Sequence, residues 1–169
     1  MASDLFCFWG GIFTDITIKK AVPQEIDEGI ALAEQVFDIY EAHEFTEEGV
    51  KSFKDFIYGA NMGRLREKGD IIFWNACCGE KLVGTCALRE KKHISLLFVH
   101  GDFHRQGIGR MLMDTACEYA LKNYGQKRIT VNSSPYGLPF YTAYGFKALD
   151  MERITDGIRY TPMIYFSRE

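Results

Sequence analysis

The most informative segment of the chain is residues 93–110, which read HISLLFVHGDFHRQGIGR. The apolar run His93–Val99 predicts a strand, and a helix is predicted from Gly107 to Tyr124. Gly107 and Gly109 allow the backbone to approach a ligand closely, and a helix start offers unpaired N–H groups and a positive dipole end. The segment therefore predicts an anion site suited to phosphate, although close helix–sheet packing explains the same glycines.

The two common nucleotide-binding loops do not occur here. The sequence has no GxxxxGK[ST] segment, and no GxGxxG follows the first predicted strand. The order of the predicted elements also differs from that of a dinucleotide-binding half.

Hydrophobic periodicity predicts a mixed α/β sandwich built on one twisted sheet. The other strands are predicted at residues 16–20, 71–78, 81–89, 128–132, 146–152 and 158–166. The other helices are predicted from Pro23, after the N-cap residue Thr46, and in a short segment ending near Tyr144. The connections 79–80 and 90–92 are short enough for hairpins, which predicts three antiparallel neighbours in the middle of the sheet.

Residues 104–109, His-Arg-Gln-Gly-Ile-Gly, resemble the coenzyme A signature Q/R-x-x-G-x-G/A of the GNAT superfamily of N-acetyltransferases. The one departure is His104, which stands where the family usually has Gln or Arg. Because most contacts at this motif come from backbone amides, the departure leaves the site in place. The resemblance covers residues 15–166. It implies the GNAT fold, an α/β sandwich with a twisted mixed sheet of about six to seven strands flanked by about four helices.

The resemblance also implies acetyl-coenzyme A as the acyl donor. The backbone of Val99 is expected to pair with the pantetheine arm, and the amide of Leu97 is expected to face the thioester oxygen. Arg105 and Arg110 can add positive charge near the phosphates. The residues expected to bind the donor are Leu97, Phe98, Val99, His104, Arg105, Gln106, Gly107, Ile108, Gly109, Arg110, Asn132, Ser134 and Tyr141.

A second motif, residues 141–146, reads Tyr-Thr-Ala-Tyr-Gly-Phe. Gly145 suits a left-handed position after a short helix that Pro139 opens, and Phe146 suits the apolar closure of a Schellman-type cap against Tyr141. A well-capped helix with aromatic core residues explains these positions without any function.

The same segment is similar, residue for residue, to the Tyr-x-x-x-Gly-Phe pattern of GNAT enzymes. By that resemblance Tyr141 protonates the departing coenzyme A thiolate, a task open to any phenol within hydrogen-bond reach. The family often has Asn seven residues before the tyrosine. Here Ser134 holds that position, and Asn132 is a second candidate for the cofactor contact.

His93 is the candidate general base. Residues four apart on a regular strand share a face, so His93 is expected on the face of Leu97, and an unperturbed imidazole titrates near ~6.5. The alternative is that His93 bonds to a neighbouring carbonyl at the start of the strand. Several GNAT enzymes place a glutamate or histidine at this point.

The segment between the first two predicted helices borders the acceptor amine in the GNAT fold. Tyr40, His43 and Glu44 are therefore expected to bind the acceptor. The acidic run is Glu41, Glu44, Glu47 and Glu48. It is either a solvated helix start or a negative rim that attracts a cationic substrate.

Composition indicates one domain with no transmembrane segment. The 169 residues carry a net charge of −3, which gives no reason to expect a nucleic acid or an anionic membrane as the partner. Five cysteines without CxxC spacing predict reduced thiols, no metal site and a cytoplasmic protein. Residues 15–169 are predicted to form a single acetyltransferase domain, and residues 1–14 an apolar arm. The arm is expected to pack on this domain or on a second copy of the chain. The second arrangement is consistent with a homodimer.

The predicted function is direct transfer of the acetyl group of acetyl-coenzyme A to a primary amine of a small molecule or peptide. No cysteine is placed as an acyl carrier. Tyr141, His93 and Leu97 are the predicted catalytic residues. The alternative, from a different class, is a catalytically silent module that binds coenzyme A for regulation or interaction. Such a module keeps the glycine loop but needs neither Tyr141 nor His93, and a different acyl donor also stays open.

Overall fold

The computed structural model describes residues 6–9 and 12–167 of the chain. The strands are β1 (Phe6–Trp9), β2 (Ile12–Lys20), β3 (Ile71–Cys78), β4 (Lys81–Arg89), β5 (His93–Val99), β6 (Arg128–Ser133), β7 (Lys147–Ala148), β8 (Arg153–Thr155) and β9 (Ile158–Phe166). The helices are α1 (Pro23–Tyr40), α2 (Glu47–Tyr58), α3 (Ala60–Lys68), α4 (Ile108–Tyr124) and α5 (Leu138–Tyr144).

The strands form one mixed sheet in the order β1-β2-β3-β4-β5-β6-β9-β7, and β8 pairs with β9 off this path. The hairpins predicted between β3, β4 and β5 are confirmed, because both pairs are antiparallel. The only parallel pair among the described strands is β5 with β6, which the helix α4 connects. A parallel neighbouring strand needs such a crossover connection. The chain leaves β5 and enters this connection through the glycine loop that precedes α4.

Each face of the sheet carries its own hydrophobic core. On one face α4 and α5 cover a cluster that includes Leu112, Met113 and Ile129. On the other face α1, α2 and α3 cover a cluster that includes Phe37 and Phe73. All five side chains are at most 2% exposed, and full burial of such a side chain contributes about 1.5–3 kcal/mol. Both helix layers are therefore fixed to the sheet.

The helix starts at Pro23 and Thr46 are confirmed. Pro23 lies at the first turn of α1, and the Thr46 hydroxyl accepts the Gly49 N–H at 3.2 Å. The start of α2 also contacts the β8–β9 hairpin, where Ser52 Oγ donates to the Asp156 carbonyl at 2.9 Å. This contact holds the hairpin over one face of the sheet.

Three predictions differ from the structure. Helix α3 was not predicted, because Gly59 separates it from α2 and only Met62 within it is buried. The strand predicted at 146–152 is wrong in extent, because the chain pairs with β9 at Lys147–Ala148 and again only from Arg153.

The third difference concerns the cysteines. Cys77, Cys86 and Cys117 are free thiols as predicted, whereas Cys78 is disulfide-bonded. A disulfide requires only that two cysteines come close in space, which the spacing of cysteines along the chain does not reveal.

The predicted N-terminal arm falls partly outside the described residues. Within residues 1–14, β1 pairs antiparallel with the start of β2 at the edge of the sheet. None of the helices among the described residues is long and apolar enough to cross a membrane.

Candidate active site

A gap in the sheet between β5 and β6 defines the site. The two strands pair only at His93–Thr130 and Ile94–Val131 and separate beyond Ile94. A cavity of about 1310 Å³ occupies the gap and is lined by residues from both faces of the sheet. The far half of β5 therefore presents a free backbone edge to the cavity.

A β-bulge at Ser95 reverses the faces of β5. Leu88 pairs with Ile94 but Ala87 pairs with Leu96, so Ser95 is the extra residue. Residues that pair across two strands have their side chains on the same face of the sheet. Leu97 pairs with Cys86, which lies in the core on the α4 face, so the Leu97 side chain lies on that face too.

His93 pairs with Arg89, whose side chain stands on the α1 and α2 side of the sheet with that of Ala87. The expectation that His93 and Leu97 share a face is therefore wrong. The inserted residue breaks the two-residue period on which it depended.

The loop before α4 has the backbone of an anion site. Arg105 adopts φ +62° and Gly107, the N-cap of α4, adopts φ +81°. Left-handed residues among right-handed ones turn successive N–H groups toward one concave surface. Gly107 is exposed and lines the cavity, while the Ile108 side chain is 1% exposed in the core. Only the backbone of Ile108 can therefore reach a ligand.

The other loop residues have different roles. A Cβ on Gly109 would lie 3.1 Å from Phe140 Cε2, so this glycine permits close packing of α4 on α5. Arg105 and Arg110 are exposed and line the cavity, and the Arg110 guanidinium lies 5.1 Å from the Tyr144 ring centroid. Gln106 Nε2 donates to the Asp102 carbonyl at 3.3 Å, which holds its side chain against the loop.

The histidine that departs from the family pattern braces the loop. His104 Nε2 lies 2.7 Å from the Val99 carbonyl oxygen, and its ring contacts the Tyr40 ring at a tilt, with the centroids 4.9 Å apart. The Val99 carbonyl is therefore already occupied, which leaves the Val99 N–H for a pantetheine contact. The side chain at position 104 joins β5 to the loop.

The free edge of β5 offers the backbone of Leu97 to the cavity. In an antiparallel pair, successive residues point their N–H and C=O groups alternately toward and away from the partner. His100 N–H donates to Val83 on the β4 side at 2.8 Å, and the Val99 carbonyl points away toward His104. Leu97 lies two residues before Val99 on the same strand, so its backbone groups point in the same direction. The Leu97 N–H therefore also faces the gap.

Tyr141 lies at the gap on the α4 side. Tyr141 is 7% exposed and lines the cavity. Its ring contacts the Phe146 ring edge-on, with the ring centroids 5.3 Å apart. Gly145 at φ +123° and the Phe146 N–H bond to the Tyr141 carbonyl at 2.9 Å form the predicted cap. Burial raises the pKa of Tyr141 well above its usual value, so the phenol keeps its proton at neutral pH.

Ser134 and Asn132 both line the cavity next to Tyr141. Ser134 Oγ accepts the Gly137 N–H at 3.1 Å, and its hydroxyl lies close enough to Glu41 to lower the pKa of that carboxyl. Asn132 is exposed at the end of β6. Either side chain can reach a molecule that lies in the gap.

His93 is a weak base in this setting. Its Nδ1 lies 2.9 Å from Thr130 Oγ1, and burial together with the nearby charge of Arg89 lowers its pKa to about 4. At neutral pH the ring is neutral, but its affinity for a proton is low.

The three residues expected to bind the acceptor lie outside the cavity lining. The Tyr40 ring packs between His104 and Tyr136, at 4.9 and 5.5 Å. The Glu44 carboxylate accepts the Tyr136 N–H at 3.0 Å, and His43 is exposed.

Glu41 is the site residue that the sequence analysis did not single out. It directly follows α1, is half-buried and lines the cavity. Burial, followed by the nearby Glu44 charge, raises its pKa to about 7, although the nearby Ser134 hydroxyl acts in the opposite direction. The acidic run contained it, but nothing in the spacing separates Glu41 from its exposed neighbours.

No group of three or more His, Cys, Asp or Glu among the described residues could hold a metal ion. This observation does not test the prediction of a metal-free site.

Comparisons with known proteins agree with this architecture. The profile of the acetyltransferase (GNAT) domain matches residues 41–166. A GCN5-related N-acetyltransferase structure from Rhodopseudomonas palustris is 20% identical with a TM-score of 0.75, covering 89% of this chain and 95% of that one. The PaiA N-acetyltransferase from Thermoplasma acidophilum, solved with coenzyme A, is 22% identical with a TM-score of 0.71, covering 90% and 99%. Apo YjaB from Escherichia coli is 20% identical with a TM-score of 0.64, covering 89% and 97%.

Proposed function

The chain belongs to the GNAT acetyltransferase family, and on that premise we propose that it transfers the acetyl group of acetyl-coenzyme A directly to the amine of a second substrate. The observation that carries this proposal is the gap between β5 and β6. The features suited to a donor lie on its α4 side, and a cavity continues from them to the α1 and α2 side. An acetyl group in the gap would be reachable from both sides.

The donor would be held mainly by backbone groups. The N–H groups around Gly107 and the start of α4 suit the pyrophosphate, and Arg105 and Arg110 supply positive charge at the rim. The free edge of β5 suits an extended arm that carries amides, because it can pair as a further strand would. The residues present therefore fit coenzyme A.

Two groups at the gap fit acyl transfer. The Leu97 N–H would donate to the oxygen that becomes negative as the amine attacks the carbonyl carbon. Tyr141, which remains protonated at neutral pH, would donate its proton to sulfur as the C–S bond breaks. Binding both substrates together removes the need for an acylated enzyme.

Thiol release from acetyl-coenzyme A in the presence of a panel of primary amines tests the proposal. We expect Tyr141→Phe to lower kcat by about 10²- to 10⁴-fold, the contribution of a general acid, with coenzyme A affinity unchanged within about twofold by calorimetry. Tyr124→Phe, at the exposed end of α4, is the matched control.

An unchanged kcat in Tyr141→Phe would remove this tyrosine from the chemistry. Coenzyme A binding without amine-dependent thiol release in the unmodified protein would instead favour the catalytically silent binding module.

A further inference from the structure

The acceptor side of the gap contains one carboxylate next to the reacting position. Two acidic residues line the cavity, Asp156 and Glu41. Asp156 is exposed in the turn between β8 and β9, whereas Glu41 is half-buried and close enough to Tyr141 to raise the pKa of that phenol. The Glu41 charge adds to burial and to the nearby Cys86, which are the larger causes of the raised pKa of Tyr141.

The backbone holds Glu41 in place. Its N–H donates to the Phe37 carbonyl at 2.9 Å at the end of α1, and Phe37 is 2% exposed in the core. The Ser134 hydroxyl lies close enough to favour the charged form of the Glu41 carboxylate, and Ser134 Oγ itself accepts the Gly137 N–H at 3.1 Å. The carboxylate thus faces the cavity from a rigid helix end and keeps acceptor capacity for a further proton.

Among residues 6–9 and 12–167, no cation forms a hydrogen bond or ion pair with the Glu41 carboxylate. The groups whose charges act on Glu41, or on which Glu41 acts, are Glu44, Tyr136 and Tyr141. The cations Arg159 and Arg105 line the same cavity. Arg159 pairs with Glu152 at 3.0 Å and also donates to the Glu44 carbonyl at 3.4 Å. An ammonium group in the cavity would supply the missing positive partner.

We propose that Glu41 is the general base of acetyl transfer, a role that rests on the proposed function. It accepts a proton from the amine nitrogen on the α1 side of the gap, opposite to the side from which Tyr141 gives one. A base that titrates near the working pH is the most effective. Glu41 meets this condition, with a pKa of about 7, and His93, with a pKa of about 4, does not.

The protons and bonds of the transfer balance. An acceptor that enters as ammonium first releases one proton to solvent. The neutral amine nitrogen then forms a bond to the acetyl carbon and loses one proton to Glu41. The C–S bond breaks, and sulfur takes the proton of Tyr141. Solvent in the cavity then returns the proton from Glu41 to the Tyr141 phenolate, which restores both residues.

The test is the pH dependence of amine-dependent thiol release by Glu41→Gln, with the most active amine of the panel. We expect kcat/KM at pH 8 to fall about 10²- to 10⁴-fold, and the break near pH 7 in the profile of the unmodified protein to disappear. Glu28→Gln, on the exposed face of α1, is the matched control and should keep both. Calorimetry with coenzyme A should give the same affinity for all three proteins, which shows that the variants are folded.

A break near pH 7 that persists in Glu41→Gln, or activity within threefold of the unmodified protein, would overturn the assignment while leaving acetyl transfer intact. Failure of the proposed function has a different signature, because the unmodified protein would then release no thiol with any amine.

A separate observation concerns the acceptor itself. Two buried side-chain atoms within the described part of the chain, Arg89 Nε and Ser95 Oγ, have no hydrogen-bond partner, and both residues line the cavity. Arg89 Nε lies 3.5 Å from Glu90 Oε1, and its guanidinium lies 5.9 Å from the Phe56 ring centroid. Buried polar groups are nearly always hydrogen-bonded, so two unpaired ones on residues that line one cavity indicate a missing ligand group.

From this we infer that the acceptor amine also carries a carboxylate, which Arg89 and Ser95 bind. Both side chains are donors that suit a carboxylate, and the bulge places Ser95 two residues from the cross-strand partner of Arg89. The acceptor would then reach from these donors to Glu41. This inference also depends on the proposed function.

Matched pairs of amines, each with and without a carboxylate, test it in the same thiol-release assay. Phenylalanine and phenethylamine are one such pair, and glycine and methylamine are another. We expect kcat/KM to favour the carboxylate member about tenfold or more, and Arg89→Gln to abolish the preference. Arg64→Ala, exposed on α3, should keep it. No preference in the unmodified protein, or its retention in Arg89→Gln, would overturn the inference even if acetylation occurs.

Discussion

Replacing Glu41 by glutamine should change the pH dependence of stability as well as catalysis. In the native state the pKa of this carboxyl is about 7, against 4.5 for an ordinary glutamate. The native protein therefore binds more protons than the unfolded chain between these values, and the contribution of Glu41 to stability falls as pH rises through this window. The loss is about 3 kcal/mol, since each pKa unit corresponds to about 1.4 kcal/mol. Below pH 4 both states are protonated and the term vanishes.

Urea unfolding of the unmodified protein and of Glu41→Gln at intervals from pH 4 to pH 8.5 measures this difference. Glutamine cannot ionise, so the variant should gain about 3 kcal/mol relative to the unmodified protein between the two ends of the range. Partial solvent access at the cavity would reduce that value. Glu28 is exposed, so the free energy of unfolding of Glu28→Gln should change with pH as that of the unmodified protein does. A difference between Glu41→Gln and the unmodified protein that stays constant with pH would refute the raised pKa.

Two glycine substitutions test the backbone of the site. Gly107→Ala would force a side chain onto φ +81° and should weaken coenzyme A binding at a cost of about 1–2 kcal/mol; Gly125→Ala, at φ +63° after α4 with open space around it, should lower stability but leave calorimetric affinity unchanged. Gly49→Ala would place a Cβ 2.1 Å from the Gly157 carbonyl oxygen, so the β8–β9 hairpin must shift at about 1–3 kcal/mol. Gly63→Ala, with nothing within 4 Å in α3, should instead stabilise by about 0.5–1 kcal/mol in urea unfolding.

Much of the fold could be predicted because local signals agree with tertiary structure. The hairpins around β4 follow from short connections, and the starts of α1 and α2 follow from Pro23 and Thr46. The segment 146–152 has strand-like composition, but only two of its residues find a partner on β9. Pairing of an edge strand depends on what lies beside it, which periodicity does not contain.

The candidate site was predictable where it depends on backbone signals and not where it depends on register. Gly107 and the Tyr141 cap are local patterns. The bulge at Ser95 arises from the pairing of β4 with β5, and one extra residue moves His93 to the opposite face from Leu97. Glu41 differs from its acidic neighbours only in what surrounds it, so its raised pKa is a property of the assembled cavity.

The gap between β5 and β6 has a further consequence for ligands. Because it opens on both faces of the sheet, the two substrates of the proposed reaction would have separate entrances and could arrive or leave in either order. Initial-rate plots should intersect, because both substrates are bound together before the transfer. A single compound that joins coenzyme A to an amine through a short linker would extend through the gap from one face of the sheet to the other. Its second half would bind at a high effective concentration, so its affinity should exceed that of either half alone.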